Sequence, residues 1–311
     1  MIFYKTSSFG NDFIEIDCRD LPAAAADSAG RKAAVPLWDK GALAKEICDR
    51  QLGVGADGVV FYRVGKQGIH FEIFNRDGGV AELSGNGMAG LAAVLFQRRL
   101  ALSPLRLLTA VGSRRIDLLA RRGSVFQLDV EIGRPDFSNR RFFPFLKDKQ
   151  DHYVCAGLKF IPVSVGNPHA VVLCRDRLAP GRLAALGKKL ECHPMFPERV
   201  NVEFVFFTSA QNPPVGTAVL RPASCRVFFY ERGVGVTPAS STGSAAVFAV
   251  LRRLGKVRDR LNISCEAALA AEVPKGRCPA GDGAEKIAVS WKQGIFVHNF
   301  TRLICRGNYF G

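Results

Sequence analysis

Asn75-Arg76-Asp77-Gly78-Gly79-Val80-Ala81-Glu82-Leu83-Ser84-Gly85-Asn86-Gly87 stands between a strand-like run, Ile69–Phe74, and a helical pattern, Asn86–Leu100. A second stretch stands in the same setting 156 residues later: Glu231-Arg232-Gly233-Val234-Gly235-Val236-Thr237-Pro238-Ala239-Ser240-Ser241-Thr242-Gly243. Ser84 matches Ser240 at that offset, Gly87 matches Gly243, and Val94-Leu95 matches Val250-Leu251. An unrelated landmark shares it, because Gly10-Asn11 matches Gly166-Asn167. Separate landmarks in one register mark an internal duplication. Each copy is a Gly-rich strand-to-helix turn, whose backbone N–H groups at a helix start suit a carboxylate or phosphate. One such loop is explained as well by an ordinary turn and an N-cap. Two in register point to helix starts, each with a Ser, converging on one small anion between the halves.

Working outward, β-branched and aromatic runs predict strands at Phe13–Asp17, Val59–Val64, Ile69–Phe74, Leu105–Ala110, Phe126–Ile132, Ala170–Leu173, Val202–Phe207, Cys225–Tyr230 and Lys286–Trp291, with another opening the chain at Met1–Thr6. Helical periodicity marks Ala42–Asp49, Asn86–Leu100 and Gly243–Leu254, the last two each ending in Arg-Arg-Leu. Basic residues there suit the helix dipole. Asp20–Lys40, rich in Ala, Pro, Gly and charge, reads as a surface loop. The expected fold class is α+β in two pseudo-symmetric halves, about 1–130 and 131–311, with the last strand or strands free to cross to the other half.

The 311 residues carry 43 Lys+Arg against 28 Asp+Glu, a formal charge of +15. The basic residues are dispersed as pairs such as Arg114-Arg115 and Arg252-Arg253 and come with no nucleic-acid-binding signature, so a solvated basic surface is expected rather than a nucleic-acid partner. The apolar run Met88–Phe96 is too short to span a bilayer, and no signal-peptide pattern opens the chain, so no membrane association is expected. Nine irregularly spaced Cys without a Cys-x-x-Cys pair suggest reduced thiols in the cytoplasm. Five His without paired ligand spacing give no reason to expect a metal site. No Gly-x-Gly-x-x-Gly opens a βαβ unit and no Schiff-base Lys stands in the motif segments, so no cofactor is expected.

These motifs, in this order, resemble the diaminopimelate epimerase family, the PLP-independent amino-acid racemase fold. The resemblance runs through Phe9-Gly10-Asn11-Asp12-Phe13, Gly53-Val54-Gly55-Ala56-Asp57-Gly58, Phe74-Asn75 to Gly87, Gly166-Asn167-Pro168-His169, Pro197-Glu198-Arg199-Val200-Asn201 and Tyr230-Glu231 to Gly243. It implies two halves, each a barrel-like, mostly antiparallel sheet around a central helix, with the active site in the cleft. It implies a small-molecule amino-acid substrate, a place in lysine and cell-wall precursor synthesis, and allows a homodimer. It also implies that Asn11, Asn75, Asn167, Asn201 and Arg232 grip the substrate's distal amino and carboxylate groups. Gly85, Asn86, Glu231, Ser241 and Thr242 fit the reacting end.

In the family, two Cys face each other across the substrate α-carbon. Ser84 and Ser240 hold those positions here. A hydroxyl is a far weaker acid than a thiol and needs a separate base. Val236 stands where the family usually has Glu, and Ser241 where it has Gly. Three explanations compete: a changed reaction such as a lyase, dehydratase or cyclase; binding without catalysis; or deliberate replacement of both Cys. If α-proton transfer persists, His169, Asp77, Glu82 or Glu231 must supply the base.

Overall fold

The computed structural model describes residues 1–21, 39–148, 150–207, 223–265 and 286–310, so the expected loop at Asp20–Lys40 lies almost wholly outside the described residues. In chain order the first elements are β1 (Ile2–Ser8), β2 (Asn11–Asp17), α1 (Lys40–Cys48), β3 (Gly58–Gly65), β4 (Gly68–Asn75), β5 (Val80–Ala81), α2 (Gly85–Gln97), β6 (Leu105–Thr109), β7 (Gly112–Arg122) and β8 (Val125–Gly133). There follow β9 (Tyr153–Cys155), β10 (Leu158–Ser164), β11 (Pro168–Cys174), α3 (Pro180–Glu191), β12 (Asn201–Phe206) and β13 (Ala223–Glu231). The last are β14 (Gly235–Thr237), α4 (Ser241–Arg253), β15 (Arg260–Cys265), β16 (Lys286–Trp291) and β17 (Ile295–Asn308).

Eight strands close a ring in the pairing order β1, β2, β3, β4, β6, β7, β8, β17 and back to β1. A second ring runs through β10, β11, β12, β13, β15, β16, β17 and β8. It closes where the chain beyond β8 bridges β10, Asp136 and Ser164 exchanging backbone hydrogen bonds of 2.8 Å. Thus β8 and β17 belong to both rings. β17 pairs with β16 through Ile295–His298 and with β1 through Thr301–Asn308. The molecule is α+β, with two pseudo-symmetric barrel-like halves, each mostly antiparallel.

The symmetry extends to the parallel pairs. Parallel neighbours require crossover connections, and each ring has two. β2–β3 and β11–β12 are joined through α1 and α3; β4–β6 and β13–β15 are joined through α2 and α4. The second pair of crossovers fills the barrels. In α2 every residue from Gly85 to Phe96 is buried, and in α4 every residue from Ser241 to Leu251. Their small and apolar residues on all faces are what a helix enclosed by sheet requires. Both start the same way. Ser84 and Ser240 are N-caps with extended backbone (φ −141° and −137°), accepting from Gly87 N at 3.1 Å and Gly243 N at 3.0 Å.

Among the elements that the sequence did not announce, β7 and α3 have clear physical reasons. β7 carries Arg114, Arg115, Arg121 and Arg122, and its register shifts between Leu118 and Ala120, so its alternation is broken. α3 shows only a narrow buried face, Leu183, Gly187 and Leu190 with Glu191, and contains two glycines. The β1–β2 hairpin turns on Phe9 and Gly10, both left-handed (φ 53° and 85°), a conformation matched to strand twist and unstrained only for Gly10. Phe9 holds it with its ring buried and edge-on to Phe300.

Gly90 gives a test of how tightly α2 is wrapped. A Cβ there would overlap the Glu15 carboxylate and the Thr6 hydroxyl, buried partners 2.5 Å apart on the barrel wall. Ala gains about 1 kcal/mol of helix propensity, whereas overpacking costs about 1–3 kcal/mol. Gly90→Ala is therefore expected to lower unfolding free energy by up to about 2 kcal/mol in urea titration; a higher midpoint would show that the wall yields.

Candidate functional site

The two helix starts abut. A Cβ at Gly85 would overlap the Ser241 side chain, so glycine is what lets α2 approach α4. The Ser241 hydroxyl donates to Asn86 Oδ1 at 2.5 Å and lies 3.1 Å from Asn299 Oδ1 on the shared strand β17. Ser241 is thereby committed to joining the helices, and only its backbone N–H could serve a ligand. Asn86 Nδ2 donates to Asn11 Oδ1 at 3.0 Å. The mirror contact, 156 residues on, runs from Asn167 Nδ2 to Thr242 Oγ1 at 3.5 Å.

Beside this junction opens a cleft. Of the residues singled out from sequence, Asn11, Asn75, Ser84, Asn167, Asn201, Glu231, Arg232 and Thr242 line it. The other lining residues are Phe13, Asp57, Ile73, Ala81, Leu83 and Val234. Gly85, Asn86, Ser240, Ser241 and His169 lie behind the wall. None of the described cysteines lines the cleft.

The two serines are placed unequally. Ser84 is on the wall, whereas Ser240 is 2% exposed and does not line the cleft. The Ser240 hydroxyl donates to Glu231, caps α4 and lies 3.4 Å from Thr242 Oγ1. Burial pushes the Glu231 carboxyl up to about 7, and the Ser240 hydrogen bond opposes this. The Asp57 and Glu203 charges push it in the same direction as burial.

His169 is fully buried and locked, with Nδ1 2.7 Å from Glu203 Oε1 and Nε2 2.9 Å from Asn167 Oδ1. Its position fits orienting the Asn167 amide, leaving Nδ2 as the group turned to Thr242. Burial also raises the Glu203 carboxyl, opposed by His169. Asp77 is exposed and accepts from Gly79 N at 2.9 Å within its own turn.

The distal grip is held from outside. Asp57 accepts from Asn11 Nδ2 at 2.7 Å and from Arg50 Nη2 at 2.8 Å, and Arg50 also reaches Asp12 Oδ1 at 2.8 Å. Burial raises Asp57, with the neighbouring Asp12 charge adding to it. In Asp12 burial acts upward too, but Arg50 and Lys5 more than offset it. Asn201 Oδ1 accepts from Arg232 N at 3.0 Å. The Arg232 guanidinium donates to the Glu198 carbonyl at 2.9 Å and pairs with the Glu82 carboxylate. Glu191, 1% exposed on α3, accepts from Gly233 N at 3.0 Å and fixes the Arg232 loop.

The sequence reading assigned no role to Asp57, Arg50, Glu203 or Glu191. Glu203 did carry a signal: it is a lone carboxylate in the otherwise apolar run Val202–Phe207, and a buried acid needs a partner. Asp57 stood inside a quoted motif, while Arg50 and Glu191 meet their partners only through tertiary contacts.

Comparison with known proteins bears on this geometry. The diaminopimelate epimerase family model matches residues 3–137 and 161–279. Diaminopimelate epimerase of Methanocaldococcus jannaschii is 32% identical over 282 residues, covering 84% of this chain and 88% of that one. Diaminopimelate epimerase of Carboxydothermus hydrogenoformans is 32% identical over 319 residues, with both chains covered completely. Among solved structures, a hydroxyproline epimerase from Agrobacterium vitis with bound trans-4-hydroxy-L-proline superposes with a TM-score of 0.62 at 14% identity, covering 100% of this chain and 91% of that one, a likeness of fold. Among the described residues no helix is long and apolar enough to cross a membrane. With the duplicated turns, the paired capping serines and this similarity over most of its length, the chain is an isomerase of the epimerase and racemase type and belongs to the diaminopimelate epimerase family.

Proposed function

We propose that the protein is a cofactor-independent epimerase acting at the α-carbon of an amino acid with a second polar end, diaminopimelate or a close relative, in lysine and cell-wall precursor synthesis in the cytoplasm. One observation carries the reading: two buried helix starts meet beside a cleft lined by the four amides Asn11, Asn75, Asn167 and Asn201 and by Arg232. Helix N–H groups favour the α-carboxylate and stabilise the negative charge that develops when the α-proton leaves. Amides both donate and accept, which suits a distal ammonium and carboxylate together.

Arg232 would take the distal carboxylate, exchanging its Glu82 partner for the substrate. Glu231 would act as base: it lines the cleft, and a carboxyl raised to about 7 is matched to proton transfer near neutrality. Ser240 would hold the Glu231 carboxylate in place from behind, and Ser84 would present its hydroxyl to the substrate. Serine at both thiol positions supports a second reading, altered lyase or cyclase chemistry in the same pocket.

The direct test is incubation with L,L-diaminopimelate and chiral chromatography of the products. The meso form should appear; release of water or ammonia would favour the second reading, and an unchanged substrate would overturn both. Arg232→Lys removes bidentate geometry and should raise KM about tenfold, a change of about 1.4 kcal/mol, with a smaller loss in kcat. A base must be deprotonated, so kcat/KM should rise with pH through about 7, and Glu231→Gln should abolish that limb.

The same group affects stability. Its folded pKa is raised, so its contribution is fully present below its ordinary range and lost as pH rises through about 7. The melting temperature of Glu231→Gln relative to the parent should therefore increase between pH 5 and pH 8.

A further inference from the structure

The two walls of the cleft are chemically unequal. At the duplication's offset of 156 residues, Glu231 in one copy corresponds to Asn75 in the other, and both line the cleft. One wall therefore carries a carboxylate where the other carries an amide, which can neither take nor give a proton at neutral pH. The remaining charged lining groups are occupied. Asp57 is held by Arg50, by Asn11 and by the Asp12 N–H, and Arg232 by Glu82 and the Glu198 carbonyl. Glu231 has no ion-pair partner among the described residues, and its hydrogen bond from Ser240 leaves acceptor capacity for the cleft. Ser84 is on the cleft wall, accepts the N-cap bond from Gly87 N, and has no acid or base hydrogen-bonded to its hydroxyl among the described residues. His169 is buried and bonded at both ring nitrogens.

We propose that α-proton traffic in this enzyme is one-sided: Glu231 removes and returns the proton on its own face, while the Ser84 face delivers one only slowly. The inference rests on the epimerase reading above. In the fast cycle the Cα–H bond breaks, its electron pair passes into the α-carboxylate as an enediolate, and the proton goes to a Glu231 oxygen. The protonated carboxyl exchanges with cleft water and returns a solvent proton to the same face, giving the starting stereoisomer with a new α-hydrogen. In the slow branch the Ser84 hydroxyl gives its proton to the opposite face and recovers one from water, which yields the epimer. A positioned acid or base contributes about 10²–10⁴-fold, so the branches should differ by at least about tenfold. The equilibrium between epimers is fixed by the substrates, so inversion is slow in both directions. What distinguishes the stereocentres is exchange with retention, open only to the one whose hydrogen faces Glu231.

The experiment uses L,L- and meso-diaminopimelate as probes, each incubated with the full chain in D₂O. Deuterium is followed by mass spectrometry and configuration by chiral chromatography. The expected result is deuterium without inversion in the L,L form or at the D-centre of the meso form, but not in both, at least about tenfold faster than inversion. Deuterium confined to inverted product from both forms, as a balanced two-sided shuttle gives, overturns the inference and leaves the epimerase reading standing. No deuterium in either probe overturns that reading and the inference with it. Two variants sharpen the outcome. Glu231→Gln should abolish exchange with retention, and persistence of that exchange would overturn the proposal. Ser84→Cys places a competent acid on the deficient face and should raise inversion relative to exchange with retention at least about tenfold, and an unchanged ratio would overturn the proposal.

Discussion

Two helix N-termini buried against each other set the terms for everything else in this protein. Each helix start leaves N–H groups without intrahelical partners, and such donors cannot be buried without compensation. Ser84 and Ser240 satisfy one apiece. Gly85 lets the backbones approach, and the Ser241–Asn86 bond of 2.5 Å ties one helix to the other. The barrels can be seen as the device that holds two helices at this separation, since both are enclosed by sheet along nearly their whole length.

Much of this was legible in the sequence because duplication leaves a register. The offset of 156 residues between Ser84 and Ser240, shared by Asn11 and Asn167, identified the helix starts and the turns facing them. Strands dense in β-branched and aromatic residues, such as Val202–Phe207, announced themselves by composition. β17 did not, since its burial changes from mostly buried at Ile295–Thr301 to mostly exposed beyond, reflecting service in two rings. Ring closure through β8 and β17 is a non-local fact with no local signature.

The site was legible by residue type more than by role. The amides and Arg232 line the cleft as a set. What sequence could not convey was depth. Ser84 and Ser240 look equivalent in register, yet one is on the wall and the other behind it. Nor could it show which groups were already engaged: His169 by Glu203, Asn11 by Asp57, Arg232 by Glu82.

The strand shared between the barrels has a consequence for how the molecule is made. The first barrel lacks a wall until Thr301–Asn308 pairs with β1, and the Met1 amino group then bonds the Tyr309 carbonyl at 2.9 Å. Contacts that join the two ends of a chain carry a high loop-closure cost and slow folding. During synthesis the N-terminal strands must therefore wait, with one edge unpaired, until Thr301–Asn308 leaves the ribosome. The nascent form with that edge open is where chaperones would have most to protect.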